Sequence, residues 1–177
     1  MKHSPQCAFL DTSSIFLFLS SKINVEKRPV SVLSQPLICL EVGGGSGIIS
    51  TALSLQLPNS LFLVTDINDK ACRAIQRTAS QNGASLEVVR ARTVTGLAER
   101  LHQSVDIVLC NPPYVGTPEA EATGATDITA SWAGGQRGLN VTLEVINSLD
   151  SLLTERGTAF IVLEKCNKPE AVQKYVE

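Results

Sequence analysis

Histidine is nearly absent from this chain of 177 residues, which holds only His3 and His102. Neither falls in a loop that leaves a strand, so both are read as surface residues and no histidine general base is expected. There is no C-x-x-C pair and no grouping of His and Cys at metal-ligand spacing, so no metal is expected. The five cysteines, Cys7, Cys39, Cys72, Cys110 and Cys166, are odd in number and scattered. That usage fits a reducing compartment, and Cys39 and Cys110, in apolar runs, are read as small core residues. No apolar run approaches the roughly 20 residues that span a bilayer. A dominant charge sign is lacking too: 15 basic and 17 acidic residues leave a net charge of -2, which gives no bulk attraction to nucleic acid or to a membrane. Internal repeats and low-complexity tracts are also missing. What remains, 44% hydrophobic and 18% charged residues, is the composition of a soluble globular protein with one core.

The first 36 residues are expected to form a helix and a linker. Asp11 or Thr12 would cap a helix running to about Lys22, and the stretch from Val25 to Pro36 carries two prolines. The run Ile15-Phe16-Leu17-Phe18-Leu19 is too small for a good signal-peptide core, and no small-residue cleavage site follows it.

From Leu37 to the end, strands alternate with helices. Short apolar runs at Leu37–Val42, Leu61–Asp66, Leu86–Val89, Val105–Cys110 and Thr158–Leu163 read as buried strands. Between them fall helical patterns at 48–56, 68–82, roughly 96–102 and 137–153, with a last helix from about Lys168-Pro169. Such alternation predicts a parallel sheet covered on both faces, a doubly wound, Rossmann-like α/β fold. Right-handed crossovers give the strand order 3-2-1-4-5 among these five, with a ligand over the carboxyl ends of the first and fourth.

Two loops leave the sheet at that end. The first, Gly43-Gly44-Gly45-Ser46-Gly47, follows Glu41. Its glycines let the backbone approach a ligand closely and turn into a helix. The spacing misses the dinucleotide fingerprint, because the third glycine would fall at Ile48 or Ser50. A carboxylate at Glu41 would repel a pyrophosphate but attract a cofactor bearing a sulfonium and an ammonium. Asp66, at the end of the second strand, can accept from two ribose hydroxyls or cap the next helix. The second loop is Asn111-Pro112-Pro113-Tyr114. Adjacent prolines force the chain out of the sheet in an extended shape. The Pro112 carbonyl and the Asn111 side-chain oxygen then form an acceptor pair able to hold both hydrogens of a planar NH2, whether of an amide or of an amino-purine, with Tyr114 as a flat wall.

Taken together, Leu40-Glu41-Val42-Gly43 with Gly45-Ser46-Gly47, Thr65-Asp66-Ile67-Asn68, Asn111-Pro112-Pro113-Tyr114-Val115, and Trp132-Ala133-Gly134-Gly135 with Gly138 resemble the HemK family of protein glutamine methyltransferases. The likeness is to the eukaryotic type that modifies translation release factors, and it runs from about Leu37 to Glu177. It implies a class I methyltransferase domain over 37–177 that uses S-adenosylmethionine. It implies that Glu41, Gly43, Gly45, Gly47, Asp66 and Asn111 contact that cofactor, and that Asn111, Pro112 and Tyr114 hold a substrate glutamine in a Gly-Gly-Gln loop of a class-1 release factor. It implies a small zinc-binding activator subunit near the edge formed by the third strand, and a cytoplasmic or nuclear location. Other substrates, adenine-N6 of DNA or a protein lysine, and a degenerate binding module of the same fold are the alternatives. The acidic stretch from Val115 to Ser131, without Lys or Arg, argues against DNA.

The chain departs from the family at three points. Arg92 stands where an Asp would accept from the adenine amino group. The N-terminal segment that closes over the cofactor is echoed only by Leu10-Asp11-Thr12. The family's last two strands are missing, which would leave the fifth strand as an exposed edge.

Overall fold

The computed structural model describes residues 36–124 and 126–176, together with the backbone of 6–12 and 15–21. The strands are β1 (Gln6–Thr12), β2 (Ile15–Ser21), β3 (Ile38–Val42), β4 (Leu61–Asp66), β5 (Glu87–Arg90), β6 (Val105–Cys110) and β7 (Leu153–Glu164). The helices are α1 (Ile48–Gln56), α2 (Asp69–Gln81), α3 (Glu119–Ala122), α4 (Asn140–Leu152) and α5 (Pro169–Val176). One sheet holds all seven strands in the order β1-β2-β7-β6-β3-β4-β5. The five from β3 onward are parallel and lie in the expected order 3-2-1-4-5, with the reversal between β3 and β6.

The inner parallel strands are apolar because both faces are covered, while β5 at the edge is only half-buried. Leu40, Val42, Val108 and Ile161 meet Val145 and Leu149 of α4 on one side. Cys39, Phe62 and Ile107 meet Leu53 and Leu57 on the other. Cys39 and Cys110 are 0% and 3% exposed, and burial pushes both thiols up to about 12, so they are inert core residues. Helix α2 starts where Asn68 accepts from the Lys70 N–H at 2.9 Å, and it buries Cys72, Ile75 and Ala79 at helical spacing.

The structure corrects three expectations. Among the described residues, 11–12 and 15–21 are strand rather than helix, and β1 and β2 pair antiparallel. A short apolar run flanked by polar residues suits strand and helix equally, and here the edge of β7 supplies the partner for a strand. β2 pairs antiparallel with β7 from Ile15↔Glu164 to Ser21↔Thr158, so the fifth parallel strand is not an open edge. The expected linker, apart from Pro36, falls on residues outside those described. Residues 96–102 form a chain of turns rather than a helix. Gly96 and Gln103 take left-handed φ of 79° and 47° at the two ends, and Ala98 N–H to Val94 and Leu101 N–H to Leu97 are the helical bonds between.

Among the described residues, no helix is long and apolar enough to cross a membrane.

Candidate active site

Val42 and Cys110 face each other in the ladder between β3 and β6, so Gly43 and Asn111 leave the same rim side by side. Asp66 ends β4 on that rim, opposite Arg90 of β5. A cavity of about 1100 Å³ opens there, and Glu41, Gly43, Gly45, Asp66, Asn111 and Pro113 are among its walls.

The glycine loop is folded over the end of β4. The N–H groups of Gly43 and Gly44 both donate to the Thr65 carbonyl, at 2.9 and 3.0 Å. Gly43 and Gly45 have φ of 74° and 55°, and a Cβ at either would meet nothing within 4 Å. The conformation therefore requires glycine, and the bare backbone faces open space, as a ligand cradle needs. Gly47 lies off the cavity. A Cβ there would stand 2.8 Å from the Ile75 Cα, so its role is to bring α1 against α2.

Asp66 joins the two sides of this floor. One carboxylate oxygen accepts from the Gly45 N–H at 2.9 Å and the other from Asn68 N–H at 2.8 Å. A carboxylate has about four acceptor positions, so two remain for hydroxyls in the cavity. The cap of α2 is Asn68, not Asp66.

Glu41 is 2% exposed and accepts from the Ser50 N–H at 3.1 Å in the first turn of α1. Burial raises its pKa; the bond from Ser50 lowers it only in part, and Asp66 raises it further. A buried carboxylate on a cavity wall, short of positive charge, suits a cationic ligand.

The second wall is made by two segments locked together. Val115 bridges Ala133 in parallel. Val115 N–H donates to Trp132 O, and Gly134 N–H to Val115 O. The Thr117 N–H bonds to Gly135 O, and the Gly135 N–H returns to the Thr117 hydroxyl. A Cβ on Gly134 would collide with the Pro113 carbonyl, and one on Gly138 with the Tyr114 carbonyl. Gly134 and Gly138 thus let the loop Asn111–Tyr114 lie against them, while a Cβ on Gly135 would meet the Asn140 side chain. Trp132 is 41% exposed, which excludes a role as a core anchor.

Among the described residues, no hydrogen bond reaches the Asn111 side chain or the Pro112 carbonyl, so both acceptors stay available. The structure places the other expected residues less directly. Pro112 is buried and Tyr114 half-buried, and neither residue is among those that line the cavity. His102 is exposed and away from the cavity, while His3 lies outside the described residues. Leu10-Asp11-Thr12 sit in β1, four strands from β3, or about 19 Å at the usual strand spacing.

At the end of β5, Arg92 lines the cavity but bonds to Glu144 of α4 at 3.2 Å; the other Glu144 oxygen accepts from the Thr93 hydroxyl at 2.6 Å. Several wall residues carry no signal in the sequence. Ile48, 65% exposed, and Ile49 and Ile128 give the cavity apolar surface. Asn140, also on the wall, donates to Glu119 of α3 at 2.8 Å. Its only sequence mark is its place at the start of a helical pattern.

A doubly wound sheet with a glycine floor and two free acceptors at its switch point is the frame of a class I methyltransferase. Residues 27–131 match the methyltransferase small domain, and the chain belongs to that family. It is 40% identical over 141 residues to the human protein "Methyltransferase HEMK2", covering 79% of this chain and 65% of that one. It is 33% identical over 147 residues to "eRF1 methyltransferase catalytic subunit mtq2" of Schizosaccharomyces pombe, covering 77% and 63%. The chain therefore spans just under two thirds of the length of these relatives. Its fold is similar to the N-terminal domain of human METTL16, solved in complex with SAH, with a TM-score of 0.55, 21% identity, and 80% and 52% of the two chains covered.

Proposed function

We propose that this chain carries the catalytic domain, over residues 37–177, of an S-adenosylmethionine-dependent methyltransferase that acts on the side-chain amide of a glutamine in a release factor. The observation that carries the reading is the shared rim: the free acceptors of Asn111 and Pro112 leave the sheet beside the glycine floor and the buried Glu41. The similarity to HEMK2 and to an eRF1 methyltransferase subunit supports the substrate.

The residues present fit the cofactor. Glu41 supplies negative charge toward its cationic end, Gly43 and Gly45 leave room for it, and Asp66 keeps acceptors for ribose hydroxyls. When bound, S-adenosylmethionine supplies a methyl group on an electrophilic sulfonium.

An amide nitrogen is a poor nucleophile because its lone pair is delocalised. Asn111 Oδ1 and the Pro112 carbonyl would each accept one N–H of the substrate amide. That holds the NH2 in a single orientation and places electron density against its hydrogens. Orientation and fixed dipoles are the effects such a site has to offer. No side chain of the site needs to act as a base, since the methylated nitrogen is acidic enough to lose its proton to water.

Arg92 replaces an acceptor with donors, so the adenine amino group would have to find a backbone carbonyl. The free edge of β5, with Val88 and Val89 half-exposed, is where the activator subunit would add. Arg90 does not simply solvate this edge: its Nε donates back to Ile67 O at 3.1 Å.

Calorimetry with S-adenosylmethionine, in the presence of that subunit, tests the cofactor assignment. Micromolar binding is expected; absent or millimolar binding would leave only a non-catalytic module of this fold.

A further inference from the structure

The acceptor loop has no ladder or helix of its own. Residues 111–114 lack regular structure, and the nearest bridge begins at Val115. Yet the proposed chemistry needs the Pro112 carbonyl held at a fixed angle. The anchor comes from the far side, from a residue in the turn that follows β7.

Asn167 is 2% exposed. Its Nδ2 donates to Tyr114 O at 3.0 Å and to Arg137 O at 3.0 Å, with Gly138 O at 3.4 Å. Its Oδ1 accepts from the Glu164 N–H at 2.9 Å, at the end of β7. One amide therefore ties the carboxyl end of a sheet strand to the acceptor loop and to the turn before α4. A Cβ on Gly138 would come within 2.7 Å of Asn167 Nδ2, so the glycine is what lets the amide reach both carbonyls.

We infer that Asn167 is a positioning residue for methyl transfer: through the Tyr114 carbonyl it fixes the backbone two residues beyond the Pro112 acceptor. Both ends of its amide are bonded to backbone groups of this chain, so it acts through the loop rather than on a ligand. Aspartate cannot replace it, because a carboxylate has no donor for three carbonyls. This inference rests on the methyltransferase reading given above.

The test is Asn167→Ala in the full chain, assayed with its activator subunit. Transfer is normalised to the molecules that bind S-adenosylmethionine, so that misfolded protein does not count. The expected result is a kcat at least tenfold lower, with cofactor Kd unchanged within twofold. A wild-type kcat per cofactor-binding molecule overturns the inference, as does a Kd that rises in step with the lost rate. Amide hydrogen exchange supplies an arm that needs no activity. The Val115 amide should exchange at least tenfold faster in the variant while Gly43 and Gly44 keep their protection; equal exchange at Val115 overturns the inference. If Asn167→Ala does not fold, Asn167→Ser takes its place with the same criteria. A wild-type protein that binds cofactor but transfers no methyl refutes the methyltransferase reading alone, and the exchange arm still decides the role of Asn167.

Discussion

Val42 and Cys110 are paired across the two central parallel strands, and each is the last strand residue before a functional loop. That single register brings the glycine floor and the acceptor pair to one rim. A slip of one residue would turn Glu41 away from α1 and the Ser50 N–H that caps it.

The first consequence concerns Asn111. Its side chain is exposed and bonded to nothing else among the described residues. Asn111→Ala should abolish methyl transfer while unfolding stability stays within about 0.5 kcal/mol of the parent, as for a surface change with no structural partner. Denaturant titration and a labelled-methyl assay check both halves. Wild-type turnover in the variant refutes the clamp.

Glu41 gives a pH dependence. Burial holds its pKa above the ordinary 4.5. Without ligand, its contribution to stability is present below that value and lost as pH rises through the raised folded pKa. A cationic ligand reverses the preference and favours the ionised form. Cofactor affinity should therefore rise with pH through the Glu41 titration and fall on acidification. Glu41→Gln should flatten the profile and weaken binding about 10- to 100-fold, the value of a charge-assisted bond. Calorimetry across the acidic range measures it.

The glycines under the acceptor loop should be intolerant of any side chain. In Gly134→Ala the added methyl would meet the Pro113 carbonyl and stand 2.5 Å from the Gly138 Cα. A loss of about 1–3 kcal/mol, typical of overpacking, is expected, together with loss of transfer. Thermal unfolding of the variant reads the first and the labelled-methyl assay the second.

The hairpin should protect the sheet. Removing residues 1–21 exposes Thr158–Glu164 of β7 as an edge with a full row of unpaired backbone groups. Such a protein is expected to self-associate, and sedimentation would show it. A monomer would mean that the hairpin is dispensable to the edge.

The parallel sheet was legible because five apolar runs alternate with helical patterns and glycine stops, and periodicity reports exactly that kind of burial. That Glu41, Asp66 and Asn111 share one rim was legible because each lies at the carboxyl end of a strand or just beyond it, and all three line the cavity. The hairpin was not: Ile15–Leu19 is apolar at every position, so it has no period to read, and the strand that anchors it to the sheet, β7, pairs at separations from 137 (Ser21↔Thr158) to 149 residues (Ile15↔Glu164). Asn167 was hidden for a related reason. It sits in a polar stretch, Lys165–Lys168, and its importance comes from carbonyls 30 and 53 residues distant. Pro112 and Tyr114 were placed too simply. The sequence shows an acceptor and an aromatic ring, while in the structure neither residue is among those that line the cavity, and the Tyr114 carbonyl is bonded to Asn167.

The most direct test is mass spectrometry of a release factor after incubation with this protein, its activator subunit and S-adenosylmethionine. The account predicts a single methyl group on the side-chain nitrogen of the glutamine in the Gly-Gly-Gln loop, absent when that glutamine is replaced by alanine. An unmodified factor despite bound cofactor, or a methyl group found on a lysine instead, would contradict it.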